Sequence, residues 1–169
     1  YGNWVEGEDA GITTVPYSVM TVEDVAALPV VDIAAVDAHL YLWTTNRYLR
    51  DSYEVAEAWG FKVASTLVWC KEPFGFNVGG TFGSTVEFVH FCRRGSLAAT
   101  GSSPTRWFRW PRKMASPVRR GEKRSAGHSN KPPAFLDLVE QVSPGPYVEL
   151  FCRSPRLGWD HWGHGYEMG

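Results

Sequence analysis

The sequence predicts a single α/β domain with a mostly parallel sheet and helices on both faces. Short apolar, β-prone runs alternate with helical patterns in the order strand, helix, strand, strand, helix, strand. The chain has 169 residues, of which 44% are hydrophobic, and this suits one domain with a sizeable core. We therefore expect residues 1–169 to form one folded unit.

Two helices are predicted in the first half of the chain. Thr21-Val-Glu-Asp24 has the pattern of a capping box, which predicts a short helix that Pro29 ends. Residues 50–59 have apolar side chains at helical spacing, and Gly60 follows as a stop signal. Residues 1–16 contain several glycines and are predicted to be a loop.

Four apolar, β-prone runs predict strands, at residues 39–45, 63–71, 85–92 and 147–153. The last run follows a Ser-Pro-Gly turn. Ligands of open α/β sheets bind just beyond the carboxyl ends of such strands, so we expect the binding site at the C-terminal end of this run.

A further helix is predicted immediately before the last strand. Pro132 and Pro133 suit its first turn, and apolar residues follow at helical spacing. Lys131 stands just before this helix. Because helix N-termini attract anions, Lys131 is a candidate anion ligand, with an ordinary surface lysine as the alternative.

Residues 95–131 are predicted to be a functional loop or insertion, because they are polar, basic and too long for an ordinary connection. Within them, residues 106–131 contain nine of the 17 Lys/Arg but one of the 18 Asp/Glu. Cations bind phosphates and exposed rings stack on bases, so the sequence predicts nucleic-acid contacts, with a solvated loop as the alternative. The predicted contact residues are Arg106, Trp107, Arg109, Trp110, Arg112, Lys113, Arg119 and Arg120.

The three cysteines are far apart and odd in number, and two of them lie in strand-like runs. This pattern is typical of reduced core residues in a cytoplasmic protein. The sequence shows neither a signal peptide nor an apolar run of membrane-spanning length, so no membrane partner is expected.

Other chemical motifs are weak. Gly79-Gly-Thr-Phe-Gly83 is followed by neither the Lys-Ser/Thr of a phosphate loop nor a helix, so a flexible loop is predicted. His161, His164 and Cys152 lack a fourth ligand, so no metal site is predicted. No Gly-x-Ser-x-Gly or Gly-x-Gly-x-x-Gly sequence occurs, which disfavours a serine hydrolase and a dinucleotide enzyme.

Seven short segments nevertheless occur in a distinctive order: Val15-Pro-Tyr-Ser-Val-Met20, His39-Leu-Tyr-Leu-Trp-Thr-Thr45, Ala58-Trp-Gly-Phe61, Leu67-Val-Trp-Cys-Lys71, His128-Ser-Asn-Lys-Pro132, Glu149-Leu-Phe-Cys-Arg153 and Gly158-Trp-Asp-His-Trp-Gly163. Together they resemble the MT-A type of adenine-N6 methyltransferases. That family includes the eukaryotic mRNA adenosine methyltransferase and many phage and bacterial DNA enzymes. The resemblance covers about residues 1–165 and is strongest to phage-type members.

The resemblance implies a Rossmann-like fold that binds S-adenosylmethionine, with a permuted order in which the catalytic motif precedes the main cofactor strand. The family's Asp-Pro-Pro-Trp motif does not occur in this chain. By the match it would stand just before Tyr1, so we expect the motif and its strand upstream. A degenerate, inactive relative is the alternative.

Three residues are implied in catalysis. Tyr17 would lie in the loop that closes over the target adenine, and Lys71 and Glu87 would face the pocket from neighbouring strands. In the family, an Asp side chain and a Pro carbonyl accept the hydrogens of the adenine amine. The structural alternatives are a core tyrosine for Tyr17, an ion pair for Glu87 and simple packing for Trp43 beside the catalytic loop.

Six residues are implied in cofactor binding: Lys131, Phe151, Arg153, Arg156, His164 and Gly165. Lys131 would bind the carboxylate or ribose end, and Arg153 would lie near the ribose. The family often has Asn followed by Gln or Glu where this chain has His164 and Gly165, a departure at the expected adenine and ribose contacts.

The implied function is transfer of a methyl group from S-adenosylmethionine to the N6 amine of adenine in DNA. RNA is the alternative substrate. A second alternative is a non-catalytic, nucleic-acid-binding subunit that pairs with an active enzyme, so a homodimer or heterodimer is considered. If phage-encoded, the protein would act in the host cytoplasm.

Overall fold

The computed structural model describes residues 20–72, 82–83, 85–111, 131–152 and 155–162. The helices are α1 (Val22–Ala26), α2 (Val30–Ile33), α3 (Asp51–Ala58) and α4 (Pro133–Val142). The strands are β1 (Ala38–Thr44), β2 (Lys62–Glu72), β3 (Val86–Arg94), β4 (Trp107–Pro111), β5 (Tyr147–Leu150) and β6 (Trp159–Trp162). No helix within these ranges combines the length and the apolar character needed to cross a membrane.

The predicted helix signals operate as expected. The Thr21 hydroxyl accepts a hydrogen bond from the Asp24 amide, and the Asp24 carboxylate accepts one from the Thr21 amide, which completes the capping box of α1. Gly60 follows α3 with a φ of +79°, a conformation that glycine adopts at low cost. Pro133 stands in the first turn of α4, where its missing N–H costs nothing.

Four strands form a mixed sheet in the order β1-β3-β2-β4. Both β1 and β2 run antiparallel to β3, and β4 runs parallel to β2. The prediction of a mostly parallel sheet is therefore wrong for these strands. A parallel neighbour needs a crossover, usually helical, whereas the glycine-rich residues 73–85 between β2 and β3 have no helical pattern.

Two strands were not predicted. The sequence predicts a loop at residues 107–111, but they form β4 at the edge of the sheet. It predicts a turn-rich tail at residues 159–162, but they form β6, which pairs in parallel with β5. The predicted last strand is also shorter than expected, because β5 ends at Leu150.

Helices pack on both faces of the sheet, as predicted. On one face, Val25 of α1 and Val55 and Ala56 of α3 are buried with Cys92 of β3. On the other face, Phe135 and Val139 of α4 are buried with Val89 of β3. The same strand thus supplies both cores, because its side chains alternate across the sheet.

The strand pair β5–β6 touches both cores. Leu150 packs against the cluster formed with α1 and α3, whereas Tyr147 and Trp159 pack against the cluster under α4. The rings of Tyr147 and Trp159 stack with centroids 4.7 Å apart. These contacts fix the end of β5 relative to the four-stranded sheet.

All three cysteines are free thiols in the structure, and their reduced state in the cell stays a prediction. Cys92 and Cys152 are buried, and Cys70 is partly buried. Burial raises the pKa of the Cys92 thiol to about 12, so this side chain behaves as a small apolar core residue.

Candidate active site

Glu87 lies between two lysines on the α4 side of the sheet. The Lys71 Nζ atom is 2.8 Å from Glu87 Oε1, and Lys131 Nζ donates to Glu87 Oε2. The three side chains are only 13%, 10% and 17% exposed for Lys71, Glu87 and Lys131. Three residues predicted separately for the site therefore form one nearly buried charged cluster.

The sheet register explains this convergence. Glu87 on β3 pairs with Trp69 on β2, so their side chains share a face. Lys71 is two residues further along β2 and lies on the same face. Lys131 comes from the segment that leads into α4, which covers this face.

Tryptophan rings surround the two ammonium groups. The Lys131 Nζ atom lies 4.8 Å from the centroid of the Trp43 ring and 6.0 Å from that of Trp69. Lys71 Nζ also lies 6.0 Å from the Trp69 ring. The two rings meet edge to face at 5.8 Å, and Phe135 packs on Trp43 at 4.7 Å. These distances are within the range of cation–π attraction.

Trp69 is a site residue that the sequence reasoning missed. It is 3% exposed, and its indole N–H donates to the Trp110 carbonyl over 2.9 Å. Strand alternation was the available signal, because a side chain two positions before Lys71 must share its face. Trp43 is predicted beside the catalytic loop, with simple packing as the alternative, and its ring centroid lies 4.8 Å from Lys131 Nζ.

The charge state of Glu87 follows from opposing effects. Burial alone would raise its pKa, but the charge and hydrogen bonds of Lys131, together with those of Lys71, lower it below the usual value. Glu87 is therefore ionised at neutral pH. The cluster places a carboxylate between two cations in a water-poor setting, where electrostatic interactions are strong.

Phe151 lies immediately beyond the carboxyl end of β5 and has a φ of 59°. Among the described residues it alone combines a side chain with a positive φ. This conformation costs roughly 1–3 kcal/mol and persists only where surrounding contacts enforce it. Here the ring meets Trp162 edge to face at 5.4 Å, and the Cys152 amide donates to the Trp162 carbonyl.

Arg156, in the segment before β6, contacts exposed carboxylates of α4. It forms ion pairs of 2.7 Å with Asp137 and Glu140. Trp159 also donates to Glu140 over 2.7 Å. These contacts tie the segment before β6 to α4, and the predicted cofactor role of Arg156 stays a prediction.

The residues in and next to the edge strand β4 that are predicted to contact nucleic acid differ in their exposure to solvent. Arg106, Trp107 and Arg109 are exposed. Trp110 is partly buried and stacks on Phe108 with centroids 4.5 Å apart. Several predicted site residues lie outside the described ranges: Tyr17, Arg112, Lys113, Arg119, Arg120, Arg153, His164 and Gly165.

The fold and the site define an α/β protein with a charged cluster, lined by tryptophan rings, on one face of a mixed sheet. The chain matches the MT-A70 family over residues 4–165 and belongs to that family. The resemblance found in the sequence is thereby confirmed.

Two curated relatives extend this result. The type II methyltransferase M.MunI of Mycoplasma sp is 32% identical over 149 residues, which cover 87% of this chain and 58% of that protein. The human N(6)-adenine-specific methyltransferase METTL4 is 25% identical over 166 residues, which cover 88% of this chain and 33% of that protein. The chain thus spans about 58% and 33% of the lengths of these relatives.

Proposed function

We propose that the protein is an S-adenosylmethionine-dependent methyltransferase that methylates the N6 amine of adenine in DNA. The observation that carries the proposal is the family match across residues 4–165. The name of the METTL4 relative specifies the N6 position of adenine, and the similarity to the type II methyltransferase favours DNA. A Rossmann-like fold with permuted motif order is part of the same proposal.

The described residues fit a bound S-adenosylmethionine, which would supply an activated methyl group. An ammonium carries three N–H donors, so Lys131 can hold Glu87 and a ligand carboxylate together. The position of Lys131 next to the N-terminus of α4 adds to its attraction for an anion. Phe151 and Trp162 provide aromatic surface beyond the end of β5, where a purine can pack.

Glu87 has a positioning role in this proposal. Both of its oxygens are engaged by lysines, so it orients Lys71 and Lys131 rather than acting as a free base. The Trp43 and Trp69 rings exclude water from this cluster. The residues thereby hold fixed charges in place before the reactants arrive, which is the main source of electrostatic catalysis.

Bound S-adenosylmethionine would supply an electrophilic methyl group for adenine N6. Transfer would form one carbon–nitrogen bond and break the carbon–sulfur bond, whose electron pair stays on sulfur, and the methylated amine would release one N–H proton to water. Alignment of the two reacting atoms accounts for much of the acceleration in such a transfer. In duplex DNA the target base must first leave the stack.

The test is methyl transfer by the full-length natural protein. We expect label from S-[methyl-³H]adenosylmethionine to enter adenine-containing DNA, and enzymatic digestion to release N6-methyldeoxyadenosine. Lys131→Met should weaken cofactor binding, measured by calorimetry, whereas Glu57→Gln on the exposed side of α3 should not. Absence of N6-methyladenine in both DNA and RNA would contradict the proposal.

The same assay separates the alternatives. An RNA oligonucleotide of matched sequence tests whether RNA is preferred. A non-catalytic subunit would bind nucleic acid but transfer no methyl group on its own, and an Asp-Pro-Pro-Trp sequence encoded directly upstream of Tyr1 would argue against it. Dimer formation and a phage origin stay predictions.

A further inference from the structure

The two faces of β4 have different surroundings. Phe108 and Trp110 point to the α4 side, where Trp110 lies 6.5 Å from the Phe135 ring. Trp107 and Arg109 alternate with them and therefore point to the opposite face. Trp107 is 57% exposed, which is unusual for a large aromatic side chain in a strand.

The outward face of β4 continues across the sheet. Trp107 is in register with Val68 of β2, and Val68 is in register with Phe88 of β3. Arg109 is likewise in register with Cys70. Val68, Cys70 and Phe88 are only partly buried. An exposed ring thus adjoins a row of partly buried apolar side chains at the edge of the sheet.

The charge of this edge identifies its partner. Arg106 and Arg109 flank Trp107 and are exposed. Along the sequence, residues 106–131 contain nine of the 17 Lys/Arg and one of the 18 Asp/Glu. An exposed ring between cations is the arrangement that binds an unpaired nucleic-acid strand, because bases stack on the ring and phosphates pair with the cations.

We propose that Trp107 stacks on an unpaired base of the DNA substrate, while Arg106 and Arg109 bind backbone phosphates. This inference rests on the proposed function and names a substrate-binding surface for it. Trp110 does not belong to that surface, because its ring stacks on Phe108 and its carbonyl accepts from Trp69. Of the two tryptophans of β4, Trp107 therefore binds DNA and Trp110 packs within the fold.

Binding of a fluorescein-labelled, single-stranded, adenine-containing DNA, followed by anisotropy, tests the surface. Loss of stacking in Trp107→Ala should weaken binding roughly 5- to 100-fold, and Trp107→Phe should restore most of it. Arg109→Gln should lower the dependence of log K on log salt by about 0.7, the value for one phosphate contact, whereas Trp107→Ala should leave this slope unchanged. Leu157→Ala and Arg50→Gln, at exposed positions elsewhere, serve as controls.

Methyl-transfer kinetics then distinguish the two proposals. Trp107→Ala should raise KM for DNA with kcat and cofactor affinity unchanged. If the wild-type protein methylates DNA and Trp107→Ala leaves KM and DNA affinity unchanged, this inference is overturned but the proposed methyltransferase function is not. A wild-type protein that neither binds nor methylates DNA would overturn both. If Trp107→Ala changes the mass of the protein in solution but not its affinity for DNA, Trp107 belongs to a protein–protein interface and the inference is overturned.

Discussion

Replacement of Glu87 by Gln should destabilise the protein because it leaves lysine charge in a nearly buried site. The Lys71 ammonium lies 2.8 Å from Glu87 Oε1, and the Lys71 side chain is 13% exposed. Removal of one partner from a buried ion pair costs about 3–5 kcal/mol, because the remaining charge loses its compensation. We expect the lower end, about 3 kcal/mol, since the Gln amide oxygen still accepts a hydrogen bond.

The assay is urea unfolding of wild type and Glu87→Gln, followed by tryptophan fluorescence at pH 7. In a thermal-unfolding scan of the same two proteins, about 3 kcal/mol corresponds to a fall in Tm of roughly 6–12 °C for a chain of this size. Glu57→Gln, which changes an exposed carboxylate, is the matched control and should stay within about 0.5 kcal/mol of wild type.

The pH dependence supplies an internal check. The folded-state pKa of Glu87 is lowered from 4.5, so its contribution to stability is present above that pH and is lost as pH falls through the lower folded value. The stability gap between wild type and Glu87→Gln should therefore narrow in acid. Equal stability of the two proteins at pH 7, or a gap that widens in acid, would refute the reasoning.

Three further predictions concern the cap of α1, the histidines and the end of β5. Thr21→Ala should lower the unfolding free energy by about 1 kcal/mol through loss of the capping box, and Thr21→Ser should not, as urea titration would show. Burial lowers the pKa values of His90 and His39 in the folded protein, so on acidification these histidines bind protons at a higher pH in the unfolded state than in the folded state. The unfolding free energy should therefore fall as the pH drops below about 6.5. An unfolding free energy that stays constant between pH 7.5 and 5.5 would contradict this. Phe151→Asn removes the aromatic ring but introduces a residue that tolerates positive φ. It should weaken S-adenosylmethionine binding, measured by calorimetry, at least about fivefold, which corresponds to about 1 kcal/mol. Unchanged affinity would exclude Phe151 from the cofactor site.

Elements with local causes could be predicted from the sequence. The capping box at Thr21, the stop at Gly60 and the prolines before α4 each act within a few residues, and each operates as predicted. The helices on both faces followed from periodicity alone. Such signals do not depend on which strands become neighbours.

Elements with non-local causes could not be predicted in this way. The strand β4 exists because Trp107–Pro111 pairs with β2, about 40 residues earlier, and the basic residues around it suggested a loop. Its alternation, with Trp107 outward and Trp110 inward, became visible only with that pairing. The direction of a strand also depends on which strands become its neighbours. The prediction of a mostly parallel sheet is therefore wrong for β3, which runs antiparallel to both β1 and β2.

The candidate site shows the same division. The resemblance to the family indicated Lys71, Glu87 and Lys131 one by one, but the contact between Glu87 and Lys131 spans 44 residues and is set by the packing of α4 on the sheet. Trp69 lies within the segment Leu67-Val-Trp-Cys-Lys71, but that segment alone does not single it out as a site residue. Its position beside both lysines follows from its register with Glu87.

A crystal structure of the full-length protein with S-adenosylhomocysteine would test the central claim most directly. We predict that the ligand carboxylate lies within hydrogen-bonding distance of Lys131 Nζ and that the ligand's purine packs beyond the end of β5, near Phe151. A ligand bound away from both residues, with the Lys71–Glu87–Lys131 cluster untouched, would contradict the account.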